Sequence, residues 1–158
     1  MKIEVGDVKI FERRLRPNLE TKPWRAANIL VVDDDVDSAL LVGQIFSHLG
    51  CQTTCSLNSL EAHKQICAGK ADIIVLDWCL DHHIEANRVL GQCIRTFEKF
   101  GGRGHKSNLI TYSSLLPSEI EVQKSPYFDY LDHWQKPISR HELLLRVLAL
   151  LAKTEQGG

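Results

Sequence analysis

Ile29-Leu30-Val31-Val32-Asp33-Asp34-Asp35 is a short apolar run that stops at three consecutive carboxylates. An uninterrupted apolar stretch of this length reads as a strand buried on both faces, as in a parallel sheet. Open α/β sheets bind ligands just beyond the carboxyl ends of their strands, so these acids stand where a ligand would be held. Adjacent carboxylates repel one another unless a cation neutralises them, and a hard divalent ion such as Mg2+ suits their oxygens. Acids also cap free N–H groups at helix starts, so an acidic turn opening a helix near Val36 is the other reading.

Outward from this stretch, strand and helix signals alternate. A strand over 28–32 leads to a helix over 37–49 that stops at Gly50. A short strand over 52–56 and a helix from about 59, ended by Gly69, come next. Ala71-Asp72-Ile73-Ile74-Val75-Leu76-Asp77 is the clearest buried strand, and it too ends in a carboxylate. A helix over 85–100, a glycine-rich basic turn over 101–104 and a strand over 109–113 follow. A helix near 118–127, a last strand near 133–136 and a final helix to about 153 complete the pattern. Ser139 and Glu142 have capping-box spacing at the start of that final helix. Five strands alternating with five helices predict an α/β fold with a parallel sheet and right-handed crossovers.

Residues 1–27 read differently. Two short apolar runs around Gly6-Asp7 suggest a hairpin, and Arg13, Arg14, Arg16, Pro17 and Pro23 suit a basic linker. The chain of 158 residues, 44% hydrophobic and 25% charged, has the composition of a soluble globular protein with a real core. A net charge of −1 gives no electrostatic case for direct nucleic-acid binding. No apolar stretch reaches the roughly 20 residues that span a bilayer, so no membrane role is expected. Five cysteines without a Cys-x-x-Cys pair read as reduced, mostly buried thiols of a cytoplasmic protein. The seven histidines show no metal-ligand spacing.

Strand carboxyl ends of such a sheet share one edge, where the residues that close each strand meet. Asp33 and Asp34 come from the first strand, Asp77 from the third, Ser113 (followed by Ser114) from the fourth and Lys136 from the fifth. Each type has a plain task in phosphoryl transfer. Acids hold Mg2+, one carboxylate acts as nucleophile, and hydroxyl and ammonium groups bind the phosphoryl oxygens.

Val32-Asp33-Asp34, Leu76-Asp77-Trp78, Tyr112-Ser113-Ser114 and Gln135-Lys136-Pro137, in this order, resemble the receiver domain of two-component response regulators. The separations also fit, with 43 residues from Asp34 to Asp77 and 23 from Ser113 to Lys136. The resemblance covers residues 28–153 and leaves 154–158 as a tail. It implies a doubly wound, flavodoxin-like sheet in the order 2-1-3-4-5. It further implies that Asp77 accepts a phosphoryl group from a histidine kinase or phosphotransfer protein. Mg2+ would be held by Asp33, Asp34, Asp77 and the backbone carbonyl of Cys79. Ser113 would be the switch hydroxyl, and Lys136 the lysine that pairs with the phosphate. Lys136-Pro137 is the bond to suspect of being cis. The chain would then be a phosphoacceptor signalling domain rather than an enzyme.

Two positions depart from that pattern. His133 stands where a switch tyrosine or phenylalanine is usual; it could act as the switch residue by rotating between buried and exposed states, while the simplest reading is a partly exposed ring without a switching role. Tyr130 or Trp134 could serve instead in another register. Asp81 and His82, in a loop lacking the usual proline and glycine, are expected near the phosphoryl group, while Trp78 reads as packing. Output would pass through a surface to a downstream protein target. Leu143, Leu144, Leu145, Val147, Leu148, Leu150 and Leu151 cover roughly 220° of the last helix, beyond the stripe of about 100° that a core needs. The surplus, assigned to Leu143, Leu145 or Leu150, would support a homodimer through the surface of fourth helix, fifth strand and fifth helix. A receiver cut from a hybrid histidine kinase, a phosphatase using Asp77, and a phosphorylation-independent scaffold are the alternatives.

Overall fold

The computed structural model describes residues 27–81, 86–101 and 106–156. The expected hairpin and linker, His82 and most of the basic turn lie outside the described residues. Five strands form one parallel sheet: β1 (Asn28–Val32), β2 (Gln52–Ser56), β3 (Ile73–Asp77), β4 (Ser107–Ser113) and β5 (Phe128–Gln135). Their order is β2-β1-β3-β4-β5, the doubly wound arrangement expected. Four α-helices are described: α1 (Val36–His48), α2 (Ser59–Cys67), α3 (Ala86–Lys99) and α4 (Arg140–Gln156).

Burial explains why the central strands are apolar throughout. Every residue of β3 is buried, and so are Ile29 to Val32 of β1. One core joins the sheet to α1 and α4 through Val31, Phe46, Val75, Trp134, Leu144 and Val147. The opposite core joins it to α2 and α3 through Leu30, Ile66, Leu76, Leu90 and Phe97. Trp78 is buried in this second core, as its packing role required.

The helix expected over 118–127 does not form. Only a three-residue 3-10 turn, Pro117–Glu119, is present, and 120–124 runs on without regular structure. Ile120 and Val122, both half-buried against the second core, are two residues apart, the spacing of an extended chain rather than a helix. Pro126 also disfavours a helical Ser125 before it. Gln123 fastens the segment to α3, where its side-chain amide donates to the Asn87 carbonyl at 2.9 Å and to Asn87 Oδ1 at 3.1 Å.

β5 consequently starts at Phe128, not near 133. Leu109 pairs with Tyr130 while Ile110 pairs with Asp132, so Leu131 is the extra residue of a bulge. One inserted residue exchanges the faces of everything after it. Phe128 therefore lies in the second core, whereas Trp134 enters the first.

The last helix also corrects an expectation. Ser139 Oγ accepts from the Glu142 N–H at 3.0 Å, the cap that the spacing predicts. The helix runs to Gln156, past its expected end. Leu143 and Leu150 are core residues, and the apolar surplus shrinks to exposed Leu145, since half-buried Leu148 packs against the first core. With no helix over 118–127, the predicted dimer surface loses one of its three elements. The thiols are less buried than expected: Cys51 and Cys93 are buried, Cys67 is half-buried, and Cys55 and Cys79 are exposed.

Candidate functional site

Parallel strands carry their last residues to one sheet edge, and there Asp33, Asp34 and Asp77 converge. One carboxylate oxygen from each lies within 4.8 Å of the others. Asp33 and Asp77 are buried and Asp34 is half-buried. The third acid of the opening stretch has the other task. Asp35 is the N-cap of α1, and its carboxylate accepts from the Asp37 N–H and the Ser38 hydroxyl, both at 3.1 Å. The Ser38 hydroxyl, foremost, holds the Asp35 carboxyl below its ordinary value. The capping reading of the acidic run thus holds for Asp35, while Asp33 and Asp34 cluster with Asp77.

Lys136 supplies the opposing charge from the end of β5. Its ammonium lies 2.8 Å from Asp33 Oδ2, 3.9 Å from Asp77 Oδ2 and 4.5 Å above the centre of the Tyr112 ring. The Lys136-Pro137 peptide is cis, as suspected, and Lys136 N–H donates to the Ser113 carbonyl at 2.7 Å. Tyr112, quoted in its motif without a role of its own, is the floor beneath the ammonium. Burial, then the negative charge of Asp33, Asp35 and Asp77, pushes its phenol up to about 12.

Asp77 is the electrostatic centre. Its Oδ1 accepts from the Cys79 N–H at 3.1 Å. Burial pushes its carboxyl up to about 7; Lys136 pulls it down, while Asp33 and a hydrogen bond with Asp34 push it further up. Three acids face one ammonium, which leaves a deficit that a divalent cation fits. Ligand oxygens on an octahedral Mg2+ stand about 3 Å apart along edges and about 4 Å across, comparable with the spacing here. The oxygen donor set matches a hard cation.

Ser113 and His133 meet at one intervening residue. The Ser113 hydroxyl accepts from the Leu115 N–H at 3.2 Å, and His133 Nε2 donates to the Leu115 carbonyl at 2.8 Å. His133 Nδ1 lies 2.7 Å from Thr111 Oγ1, which lies 2.8 Å from the Tyr130 hydroxyl. His133 is thus buried and bonded at both nitrogens, contrary to the expected partly exposed ring. Tyr130 joins the same network, while Trp134 is core. Thr111 was not singled out from the sequence; its only signal was a threonine following the apolar Leu109-Ile110. Asp81, at a backbone φ of 57°, turns its carboxylate to the Ser59 N–H at 3.1 Å.

Neither a family model nor a curated protein matches this chain. Solved structures do. A chemotaxis response regulator of Vibrio cholerae superposes with a TM-score of 0.59 at 14% identity, over 80% of this chain and 98% of that one. A response-regulator receiver domain from Methylobacillus flagellatus gives 0.60 at 17% identity, with the same coverage. The receiver domain of a Francisella response regulator gives 0.55 at 24% identity, over 81% of this chain and 98% of that one. Topology and these superpositions together establish that the chain has the fold of response-regulator receiver domains.

Proposed function

We propose that this chain is a receiver that takes a phosphoryl group onto Asp77 and signals through protein–protein contacts. One observation carries the reading: a buried carboxylate at the end of the central strand lies 3.9 Å from a lysine and clustered with two further acids. The donor is a phosphohistidine of a histidine kinase or phosphotransfer protein. Its N–P bond breaks as a bond from Asp77 to phosphorus forms, and the imidazole leaves. Asp77 must be ionised to attack, which its raised pKa opposes in the metal-free state.

Asp33, Asp34, Asp77 and the Cys79 carbonyl are the residues that would hold Mg2+. The ion, when bound, supplies positive charge for the acids and for the incoming phosphoryl oxygens. Lys136 exchanges its Asp33 partner for a phosphoryl oxygen. The Ser113 hydroxyl turns to another oxygen and releases the Leu115 N–H. Since His133 grips the carbonyl of that same residue, release at one end loosens the other, and a local charge change becomes a surface change.

The test is intact-mass spectrometry after incubation with acetyl phosphate and Mg2+. A single phosphoryl adduct that requires Mg2+ and is missing from Asp77→Asn supports the reading. Folded protein that neither binds Mg2+ nor gains the adduct removes it, and a phosphorylation-independent scaffold takes its place.

A further inference from the structure

A second group of ligating side chains lies on the opposite core, between α2 and α3. His63 and Cys67 are four residues apart on α2 and share one face of it. Cys93 faces them from α3. One donor atom from each lies within 4.8 Å of the other two, and Cys67 Sγ is 3.6 Å from His63 Nε2. Helices of this fold run back from the strand ends, so Cys67, the last residue of α2, lies away from the acidic edge.

We infer that His63, Cys67 and Cys93 form a site for a thiophilic d10 cation, Zn2+, that clamps α2 to α3. Zn–S bonds of about 2.3 Å and Zn–N bonds of about 2.0–2.1 Å set a tetrahedral S···N edge of about 3.6 Å and an S···S edge of about 3.8 Å. The Cys67–His63 separation already equals that edge, and the remaining pairs need to close by about 1.2 Å at most. Two thiolates and a neutral imidazole cancel the charge of Zn2+, so the loaded site adds no net charge to the core. Cys93 sits in the apolar cluster with Ile66, Leu90 and Phe97, which closes the site from behind. His63 and Cys67 are half-buried, which leaves an approach from solvent and a fourth position for water or an exogenous ligand.

Ligand chemistry separates this site from the acidic one. Carboxylates favour Mg2+, while thiolates and imidazole favour Zn2+. The inference stands independently of phosphorylation at Asp77.

Titrating the reduced 158-residue chain with Co2+ and then Zn2+ tests it. The expected result is one cobalt equivalent with a thiolate-to-metal charge-transfer band and intense tetrahedral ligand-field bands, displaced by Zn2+. Cobalt at the acidic cluster would give no thiolate band. Cys67→Ser and His63→Ala should each weaken Zn2+ binding by at least about 100-fold, since losing even an outer partner of a ligand costs about 10–100-fold. Cys55→Ser, which alters an exposed thiol elsewhere, should leave binding unchanged. No thiolate band, or Zn2+ affinity unchanged in both the Cys67 and His63 variants, overturns the inference. Both substitutions are at half-buried positions, so folded variants are expected, and circular dichroism confirms this before titration.

Discussion

Lys136 Nζ rests 2.8 Å from Asp33 Oδ2 but 3.9 Å from Asp77 Oδ2, so the ammonium is held by the acid that does not receive the phosphoryl group in the proposed reaction. Asp33 is almost fully enclosed, and Lys136 is its countercharge. Replacing Lys136 with Met strands that carboxylate beside two others. Breaking a fully buried pair costs about 3–5 kcal/mol; with 23% of the Lys136 side chain exposed, a loss of about 2–3 kcal/mol is expected without Mg2+. Mg2+ should recover much of it, while phosphoryl uptake stays slow because the oxygens lack their ammonium. Urea midpoints with Mg2+ and with chelator, beside adduct formation over time, check both halves. A variant as stable as the parent in chelator would contradict this account.

The raised pKa of Asp77 has an unusual sign for a carboxylate. Its folded value of about 7 lies above the ordinary 3.8, so the folded state binds the extra proton. This contribution to stability is fully present below about pH 4 and is lost as pH climbs through about 7. Metal-free protein should therefore become less stable from about pH 5 to about pH 8, and Asp77→Asn should remove that slope. Mg2+ held as proposed would act in the opposite sense, favouring the ionised pocket and releasing a proton on binding. Its stabilising effect should grow over the same interval. Denaturant midpoints at several pH values decide the matter, and a parent slope equal to that of Asp77→Asn would refute it.

Thr111 lies between His133 Nδ1 and the Tyr130 hydroxyl, at 2.7 and 2.8 Å. Thr111→Val keeps the shape and removes the hydroxyl. Tyr130 is exposed enough to find water, but His133 is buried and loses one of its two partners. A cost of about 1–3 kcal/mol follows from leaving one buried nitrogen unsatisfied. The acidic cluster is untouched, so phosphoryl uptake should persist at the parental rate. Loss of uptake with unchanged stability would show that the network serves Asp77 directly.

The acidic cluster and its lysine were legible in the sequence because their residues close strands, and strands of one parallel sheet must end together. Asp33, Asp34, Asp77 and Lys136 needed only the correct strand order to meet. The segment 118–127 was misread because its helix formers outweighed the two-residue spacing of Ile120 and Val122. The bulge at Leu131 was invisible for a related reason: one added residue reverses facing without altering composition. The burial of His133 depends on that bulge, so its environment could not be read locally. His63 and Cys67 have a spacing that puts both on one helix face, but the third donor, Cys93, is supplied only by the packing of two helices.

Gly91 gives the extended segment its seat on α3. A Cβ there would lie 3.2 Å from Gln123 Nε2, the atom that bonds Asn87. Ala in a helix interior is worth about 1 kcal/mol over Gly, but here the methyl group presses on an anchored amide. Gly91→Ala should thus gain less than the full propensity in the parent. In a Gln123→Ala background the clash is gone, and the same substitution should gain close to about 1 kcal/mol. A double-mutant cycle by urea denaturation should return a coupling of about 0.5 kcal/mol or more between these positions. Strict additivity would mean that the Gln123 amide does not hold the segment against α3 in solution, and that the absent helix has another cause.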